Sequence, residues 1–218
     1  MNTNLTELET LVNNLHINNS INLICKLQSI IRMYLVRRKL LIPNALYQTK
    51  NWRKQRSWYK TGKSNECELY QIKQIESITN TKLLKTLDRI HMNKLIITSQ
   101  KNPLKSNDGF EYSETFDGIQ KNDLNILYFN LKFVCDSGGA QTRTLREVYH
   151  FIESQLKLSS KIGSNNMKFI NILDGDTCHR SMDKFNYLLN RTEYIYVKKY
   201  VFIGDMHSFQ NLYIDNRL

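Results

Sequence analysis

Residues 124–135 read LNILYFNLKFVC, an apolar run interrupted only by two asparagines and one lysine. Its aromatic and branched side chains are typical of a buried β-strand. Residues 94–99 and 110–119 predict two strands before it, and residues 121–123 predict a turn. Because so short a connection joins antiparallel neighbours, we expect these segments to form a three-stranded meander.

Helical and buried segments surround this meander. The spacing of apolar residues predicts a helix over residues 65–91 and a second helix from about residue 140 to residue 158. Residues 168–173 and 200–204 predict two more buried strands, with a helix to about residue 190 between them and a short tail after them. A meander followed by a crossover helix gives a mixed sheet, so we predict an α/β fold with helices on both faces.

A carboxylate, an amide and a lysine lie on neighbouring strands of this meander. Asp117 ends the predicted second strand, and Asn130 and Lys132 are two residues apart in the third. Residues two apart share one face of a strand, so the three side chains are expected on one surface. Oxygen ligands suit Mg²⁺, and a lysine can position a water molecule or stabilise developing charge. The pattern predicts metal-assisted hydrolysis of a phosphodiester.

These residues resemble the motif of the PD-(D/E)XK nucleases, the superfamily that includes most type II restriction endonucleases. Phe116-Asp117 matches the family's PD, and Asn130-Leu131-Lys132 matches its (D/E)XK after a step of 13 positions. The order helix, three strands, helix, strand is also similar, and the resemblance covers roughly residues 65–175. Two residues depart from the pattern: Phe116 replaces Pro, and Asn130 replaces the second acid, which removes one charge from the metal site.

The resemblance implies a restriction-endonuclease-like fold and a Mg²⁺-dependent endodeoxyribonuclease. It implies that Lys132 positions the attacking water and that Asp117, Asn130 and Lys132 are the catalytic residues. The family often has a glutamate on its first core helix, a position that Glu68 or Glu66 would fill. The expected metal ligands are Asp117, the Asn130 carbonyl, the Leu131 backbone and Glu68.

Positive charge is concentrated before the predicted nuclease core. The chain has 31 Lys+Arg and 20 Asp+Glu, a formal net charge of +11, and residues 31–65 contain ten of the basic residues and none of the acidic ones. Cations interleaved with aromatic rings suit a phosphate backbone and its bases. The alternative is a solvated basic face whose aromatic residues belong to the core. The DNA-binding candidates here are Arg32, Arg37, Arg38, Lys50, Trp52, Arg53, Lys54, Arg56, Trp58 and Lys60.

A second group of candidates lies in residues 136–146, DSGGAQTRTLR, where the second predicted helix begins. Glycines at a helix N-terminus let the backbone approach a phosphate, and amide and guanidinium groups bind base edges or phosphates. A glycine turn followed by surface arginines is the alternative. The candidates are Ser137, Gly138, Gly139, Gln141, Arg143 and Arg146.

Two other motifs leave alternatives open. Residues 174–176, Asp-Gly-Asp, predict either a helix N-cap at Asp176 or a second acidic site. Residues 25–41 form a basic amphipathic pattern that resembles a calmodulin-binding IQ motif, with Leu27-Gln28, Arg32 and Arg37 in register. This register makes a calmodulin-like partner a third hypothesis. Basic amphipathic helices often match the motif by chance, so a single copy is a weak signal.

Composition and cysteine spacing narrow the class of protein. The chain has 218 residues, 41% of them hydrophobic, which excludes a disordered chain. No apolar run approaches the roughly 20 residues that span a bilayer, and the polar first ten residues are not a signal peptide. The four cysteines form no CxxC pair, which disfavours a zinc site and favours free thiols in a reducing compartment. We expect a soluble intracellular protein with no membrane partner.

We therefore predict two regions with one function. Residues 1–64 would be a helical, basic DNA-binding extension, and residues 65–218 the nuclease domain. The protein would cleave double-stranded DNA with Mg²⁺ at specific sequences, and a homodimer would match the two-fold symmetry of a palindromic site. The alternative is a catalytically degenerate DNA-binding protein of the same fold.

Overall fold

A computed structural model describes residues 42–99, 113–121, 125–136, 138–163 and 166–215. Several of the predictions lie outside these residues: the helix at 25–41, the loop at 100–109, most of the turn at 121–123, and the candidates Arg32, Arg37, Arg38 and Ser137.

The described residues alternate between short strands and helices. The strands are β1 Arg89–His91, β2 Ile96–Thr98, β3 Ser113–Thr115, β4 Gly118–Lys121, β5 Ile126–Phe133, β6 Met167–Asp174 and β7 Val201–Gly204. The α-helices are α1 Lys50–Lys54, α2 Ser64–Thr79, α3 Gly139–Ile162, α4 Asp176–Arg180, α5 Met182–Leu189 and α6 Met206–Ile214. Short 3-10 helices span Ala45–Tyr47, Thr192–Tyr194 and Lys198–Tyr200.

The main sheet has the strand order β4-β5-β6-β7. Strand β4 is antiparallel to β5, whereas β5, β6 and β7 run parallel to one another. Parallel neighbours require crossovers, and α3 supplies the crossover from β5 to β6. The expected mixed α/β sheet is therefore confirmed, and the apolar run at 124–135 forms a central strand of it.

The predicted three-stranded meander is wrong, because residues 94–99 contribute β2 to a separate small sheet. The predicted second strand, residues 110–119, is also wrong as a single element. Its described part divides into β3, which belongs to a separate small sheet of order β2-β1-β3, and β4, which belongs to the main sheet. The break falls at Phe116, whose ring is buried against Tyr128 and Phe169 at centroid distances of 4.8 and 5.7 Å. The Phe116 N–H donates to the Asp88 carbonyl, and the next N–H, of Asp117, donates to the Phe129 carbonyl. The chain thus passes from one sheet to the other at this point.

Helices cover both faces of the main sheet. On one face, the Phe116 ring packs against Phe151 of α3 at 5.1 Å. On the other face, Phe129 packs against Phe209 of α6 at 6.0 Å. Side chains alternate between the faces of a strand, so Tyr128, Asn130 and Lys132 of β5 share the α3 face.

Helix α2 is shorter than the helix predicted over residues 65–91. It ends at Thr79 because Asn80 adopts a left-handed conformation with φ 52°, which is a common way to terminate a helix. The chain then runs beside β4, where Leu84 and Ile119 exchange backbone hydrogen bonds of 2.9 and 2.8 Å. Residues 89–91 of the predicted helix form β1 instead.

Two predictions after β6 also need correction. The single helix expected up to residue 190 is two helices, α4 and α5, which meet at Ser181. The expected tail after residue 204 is helix α6, capped by Asp205, whose side chain accepts a hydrogen bond from the Ser208 N–H at 2.8 Å.

Gly175 has φ 96°, and a Cβ there would lie 2.2 Å from the Val134 carbonyl oxygen, so this position requires glycine.

Residues 42–63 pack with the rest of the fold. The chain from Ile42 to Leu218 forms one compact unit, and the predicted division after residue 64 falls inside it. The Ala45 N–H donates to the Asp205 carboxylate at 2.8 Å, which joins the first described residues to the cap of the last helix. None of the helices in the described ranges is long and apolar enough to cross a bilayer.

Candidate active site

The structure brings Asp117 and Lys132 together. The Lys132 ammonium nitrogen lies 3.6 Å from Asp117 Oδ2. The same carboxylate oxygen accepts a hydrogen bond from the Leu131 backbone N–H at 2.6 Å. Both side chains remain open to solvent, with exposed fractions of 34% for Lys132 and 21% for Asp117. A ligand can therefore reach the pair, and the Leu131 backbone N–H fixes the orientation of the Asp117 carboxylate.

Two local features position this pair. Asp117 lies at the crossing from β3 to β4, where its own N–H is bound to the Phe129 carbonyl at 2.9 Å. Lys132 lies near the end of β5, and its carbonyl accepts a hydrogen bond from the Gln71 side chain of α2 at 3.1 Å. Each residue is therefore held through its main chain, which leaves its side chain available to a ligand.

Asn130 does not share this pocket, although it lies on the same face of β5 as Lys132. Its side chain is 2% exposed and its amide nitrogen donates to Asn171 Oδ1 at 2.9 Å. Gln155 of α3 completes the cluster through two hydrogen bonds with Asn171, of 2.8 and 3.1 Å. The cluster satisfies amide groups beneath α3, and this is the reason that an amide rather than a carboxylate fits here.

Glu68, the metal ligand expected on the first core helix, lines the pocket of Asp117 and Lys132. It projects from α2 into the pocket that contains Asp117 and Lys132. Burial raises the pKa of Glu68, the negative charge of Asp117 raises it further, and the positive charge of Lys132 opposes both effects. Glu66 has a different role, because its carboxylate accepts backbone N–H groups from Lys60 to Gly62 at 2.9–3.1 Å and stabilises the turn before α2.

Glu114 of β3 is a nearby carboxylate that sequence reasoning missed. Burial raises the pKa of Glu114, Lys132 opposes this effect, and Glu147 and Asp117 add to it. Its position three residues before Asp117, in the same polar segment, was the available signal. Because that segment was predicted as one strand, the turn of the chain at Phe116 that brings Glu114 near Lys132 was not expected.

The pocket lies at the carboxyl end of β5, where α2 and α3 approach from opposite faces. It has a volume of about 510 Å³, and its lining includes Lys50, Arg53, Glu68, Asp117, Lys132 and Gln141. Lys50 forms an ion pair with Asp136 at 2.7 Å. A pocket lined by both carboxylates and cations is suited to binding a phosphodiester through a bridging cation.

The donor chemistry of the pocket fits a Mg²⁺ ion with few protein ligands. Among the described residues, no three His, Cys, Asp or Glu side chains converge closely enough to hold a metal alone. Asp117 and Glu68 line one pocket, and the raised pKa of Glu68 reflects burial and the neighbouring like charge. Mg²⁺ commonly keeps several waters and takes one or two carboxylates together with substrate phosphate, so Asp117 and Glu68 are the candidate ligands of this pocket.

The two tryptophans proposed to contact DNA form a cluster with other aromatic residues. Trp58 stacks on Tyr70 at 4.4 Å, and Trp52 stacks on Phe133 at 6.3 Å. Both indoles are half-buried, and their packing attaches the segment before α2 to the end of β5. This cluster corresponds to the alternative in which the aromatic residues belong to the core.

The basic candidates of this segment divide into packed and open side chains. The Arg53 guanidinium lies 4.6 Å from the Tyr59 ring centroid and 3.6 Å from Cys67 Sγ. Arg56 lies over the Trp52 ring at 4.6 Å while remaining exposed. The other exposed cations among these candidates are Lys50, Lys54 and Lys60.

Of the described candidates at the start of α3, Gln141 lines the same pocket, and Gly138, Gly139, Arg143 and Arg146 do not. Helix α3 begins at Gly139, after Gly138, and Gln141 contributes to the pocket lining. Arg143 is exposed and pairs with Glu147 at 3.5 Å. Arg146 is exposed one turn further along the helix. At the other motif, Gly175 is the N-cap of α4, Asp176 begins that helix, and Asp174 is fully buried.

Comparison of the chain with protein-family models, with curated proteins and with solved structures found no match. The function must therefore be argued from the pocket itself.

Proposed function

We propose that this protein is a Mg²⁺-dependent endodeoxyribonuclease that hydrolyses phosphodiester bonds of double-stranded DNA. The observation that carries the proposal is the pairing of Asp117 with Lys132 at 3.6 Å beside Glu68 in one open pocket. A restriction-endonuclease-like fold and cleavage at specific sequences are parts of the same proposal. So is a homodimer, which would present two such pockets to the two strands of a palindrome.

Each residue of the pocket has a role in this reaction. Asp117 and Glu68 would hold the Mg²⁺, which when bound polarises the phosphate and lowers the pKa of a bound water. The Leu131 N–H keeps the Asp117 carboxylate in one orientation, so the ligand does not have to be ordered when substrate arrives. Hydrolysis forms a bond from the water oxygen to phosphorus and breaks the bond from phosphorus to one sugar oxygen. The Lys132 ammonium, next to these groups, stabilises the negative charge that develops.

The surroundings of the pocket support DNA as the substrate. Lys50 and Arg53 line it, and further exposed cations extend along the segment before α2. Contacts of this kind are made to the phosphate backbone, so they supply affinity and orientation without reading the sequence. The net charge of +11 for the whole chain agrees with a polyanionic partner.

A catalytically degenerate DNA-binding protein is the second candidate. The burial of Asn130 beneath α3 favours it, because the residue that matches the family's second acid does not enter the pocket. Glu68 is the residue that decides between the two candidates. If its carboxylate replaces the missing acid, the protein is an enzyme.

The test is incubation of the purified protein with long duplex DNA, with Mg²⁺ or with EDTA. We compare the wild type with Lys132→Ala and with a matched control, Lys121→Ala, which removes an exposed lysine at the end of β4. Discrete fragments that require Mg²⁺, survive in the control and are lost with Lys132→Ala would support a sequence-specific nuclease. A smear with the same dependence would support the chemistry and refute the specificity. Intact DNA that only shifts in the gel would replace the proposal with the DNA-binding protein.

A further inference from the structure

A second pocket lies on the other side of the first turns of α3. It has a volume of about 690 Å³ and is lined by residues of α3, α4 and α5. Pockets of 300–1,000 Å³ are the usual size for small-molecule ligands, and one nucleotide is within that range. The proposed reaction does not use this pocket.

The walls of this second pocket are aromatic and aliphatic. Leu145 and Tyr149 of α3 and Phe185 and Tyr187 of α5 contribute to them. Phe185 is buried and packs against Tyr149 at 6.2 Å, which makes a fixed floor. Tyr187 is 68% exposed although it is a large aromatic residue. An exposed ring at the mouth of an apolar pocket is suited to stacking on a flat ligand.

Positive charge surrounds the mouth. Arg146, Arg180 and Lys184 line the pocket together with one carboxylate, Asp183. Arg180 is paired with Asp176 at 2.8 Å, whereas Arg146 and Lys184 have no carboxylate partner among the residues that the structure describes. Two cations without carboxylate partners beside an apolar pocket suit a ligand that combines a flat ring with a phosphate.

The two pockets are neighbours. Gln141 of α3 lines both the Asp117–Lys132 pocket and the pocket of Tyr187. A strand that extends past Gln141 would therefore enter the second pocket. A base that enters that pocket must leave its stack in the duplex, which breaks its pairing.

We propose that the Tyr187 pocket binds one unpaired nucleotide of the DNA whose scissile phosphate occupies the Asp117–Lys132 pocket. The base stacks on Tyr187, and its phosphate contacts Arg146 and Lys184. This inference rests on the proposed function only for the position of the rest of the DNA. The chemical class of the ligand, a nucleotide with an unstacked base, follows from the second pocket alone.

The test measures binding in EDTA, where no cleavage interferes. Fluorescence anisotropy compares a labelled 12-nucleotide single strand with a blunt duplex of the same sequence. The variants are Tyr187→Ala and Lys184→Ala, and the matched controls are Tyr196→Ala, which removes an 85% exposed tyrosine away from the pocket, and Lys198→Ala. Because these side chains are exposed, circular dichroism is expected to be unchanged in all four variants.

We expect Tyr187→Ala to weaken single-strand binding by about five-fold or more, the loss typical of one base–aromatic stack. Lys184→Ala should weaken it and make it less sensitive to salt, by about one unit in the slope of log K against log[salt]. Blunt-duplex binding should fall less than single-strand binding in both variants, because a nucleotide must first be unpaired from the duplex before it can stack on Tyr187 and contact Lys184. The control variants should match the wild type.

The inference is overturned if the wild type does not bind the single strand, or if Tyr187→Ala binds it as tightly as the wild type does. It is also overturned if Tyr196→Ala causes an equal loss, because the effect is then not specific to the pocket. The proposed function is judged separately, by cleavage in Lys132→Ala. A protein that loses single-strand affinity with Tyr187→Ala but never cleaves DNA would retain the nucleotide pocket and refute the nuclease.

Discussion

The Asp117 carboxylate is bound to the Leu131 backbone N–H, 2.6 Å from Oδ2 to nitrogen. This hydrogen bond links Asp117, where the chain passes from one sheet to the other, to β5. Because the donor is a backbone group, it fixes the orientation of the second carboxylate oxygen without help from another side chain. Asp117→Asn keeps an oxygen that can accept from Leu131, so folding should be retained. Cleavage should fall by about 100-fold or more, since the charge that would hold Mg²⁺ is lost. Single-turnover cleavage and thermal unfolding of the same preparation measure both effects.

Glu68 and Glu66 lie two residues apart on α2 but should respond differently to loss of charge. Glu68→Gln removes a carboxylate from the pocket, so the Mg²⁺ concentration for half-maximal cleavage should rise by about ten-fold or more. Glu66→Gln weakens the hydrogen bonds to the turn before α2, so it should lower thermal stability slightly and leave the Mg²⁺ requirement unchanged. The roles assigned here would be refuted if Glu66→Gln had the larger effect on the Mg²⁺ titration.

Asn130→Asp distinguishes the metal-ligand role that the sequence motif implies from the buried hydrogen-bonding role that Asn130 has in the structure. If Asn130 were a metal ligand, a carboxylate would complete the family pattern and increase cleavage. In the structure the amide nitrogen of Asn130 donates to Asn171, so a carboxylate would lose that donor and bury a charge. We expect the free energy of unfolding to fall by about 1–3 kcal/mol and cleavage not to increase. Urea denaturation with a control at an exposed asparagine, Asn186→Asp, tests this.

The buried carboxyl of Asp174 should give folding a measurable pH dependence. Burial raises the pKa of Asp174 to about 6 from an ordinary value of 3.8, while hydrogen bonds from Met206 and Gln71 oppose the effect. Between these values the folded state binds more protons than the unfolded state, so this group's contribution to stability falls as the pH rises from about 4 to about 6.

Asp174→Asn does not titrate but keeps an oxygen for the Met206 N–H. The variant's free energy of unfolding minus that of the wild type should therefore increase by about 2 kcal/mol from pH 4 to pH 6 and become constant above about pH 7. Urea denaturation at several pH values gives this difference directly. A difference that did not change with pH would mean that the pKa of Asp174 is the same in the folded and unfolded states.

The aromatic cluster predicts a structural role for Trp58. Its stacking on Tyr70 at 4.4 Å should make Trp58→Ala destabilising by about 2–4 kcal/mol, whereas Trp58→Phe should lose only about 1 kcal/mol. Tyr47→Ala, at a tyrosine that is 66% exposed, is the control. If Trp58→Phe unfolds like the wild type but loses DNA affinity, the indole contacts DNA directly and its structural role is secondary.

Local patterns in the sequence predicted the main sheet well, and the errors have identifiable causes. The strands β5, β6 and β7 are apolar runs whose pattern favours a buried strand over other secondary structures, so the sequence predicts their positions directly. Helix α2 was predicted too long because its apolar spacing continues past Asn80, and only the left-handed conformation there ends it. Helix α6 was missed, although Asp205 followed by Ser208 is a recognisable N-cap signal.

The candidate site was partly predictable for a similar reason. The proximity of Asp117 and Lys132 depends on strand pairing, which the short connection between the segments indicated. The separation of Asn130 from Lys132 depends on which part of β5 lies beneath α3, and a strand pattern has no information about the helix that covers it. Glu114 was missed because its position depends on the passage of the chain between two sheets at Phe116.

The hydrogen bond between Ala45 and Asp205 has a consequence for synthesis of the protein on the ribosome. Its two partners are 160 residues apart in the chain, and β7, the edge strand of the main sheet, directly precedes Asp205. The segment before α2 therefore lacks this partner until the ribosome has added those 160 residues. Contacts of such long range form late and slow the folding of a domain. The basic side chains of residues 50–63 are thus exposed to other molecules in the cell during that interval.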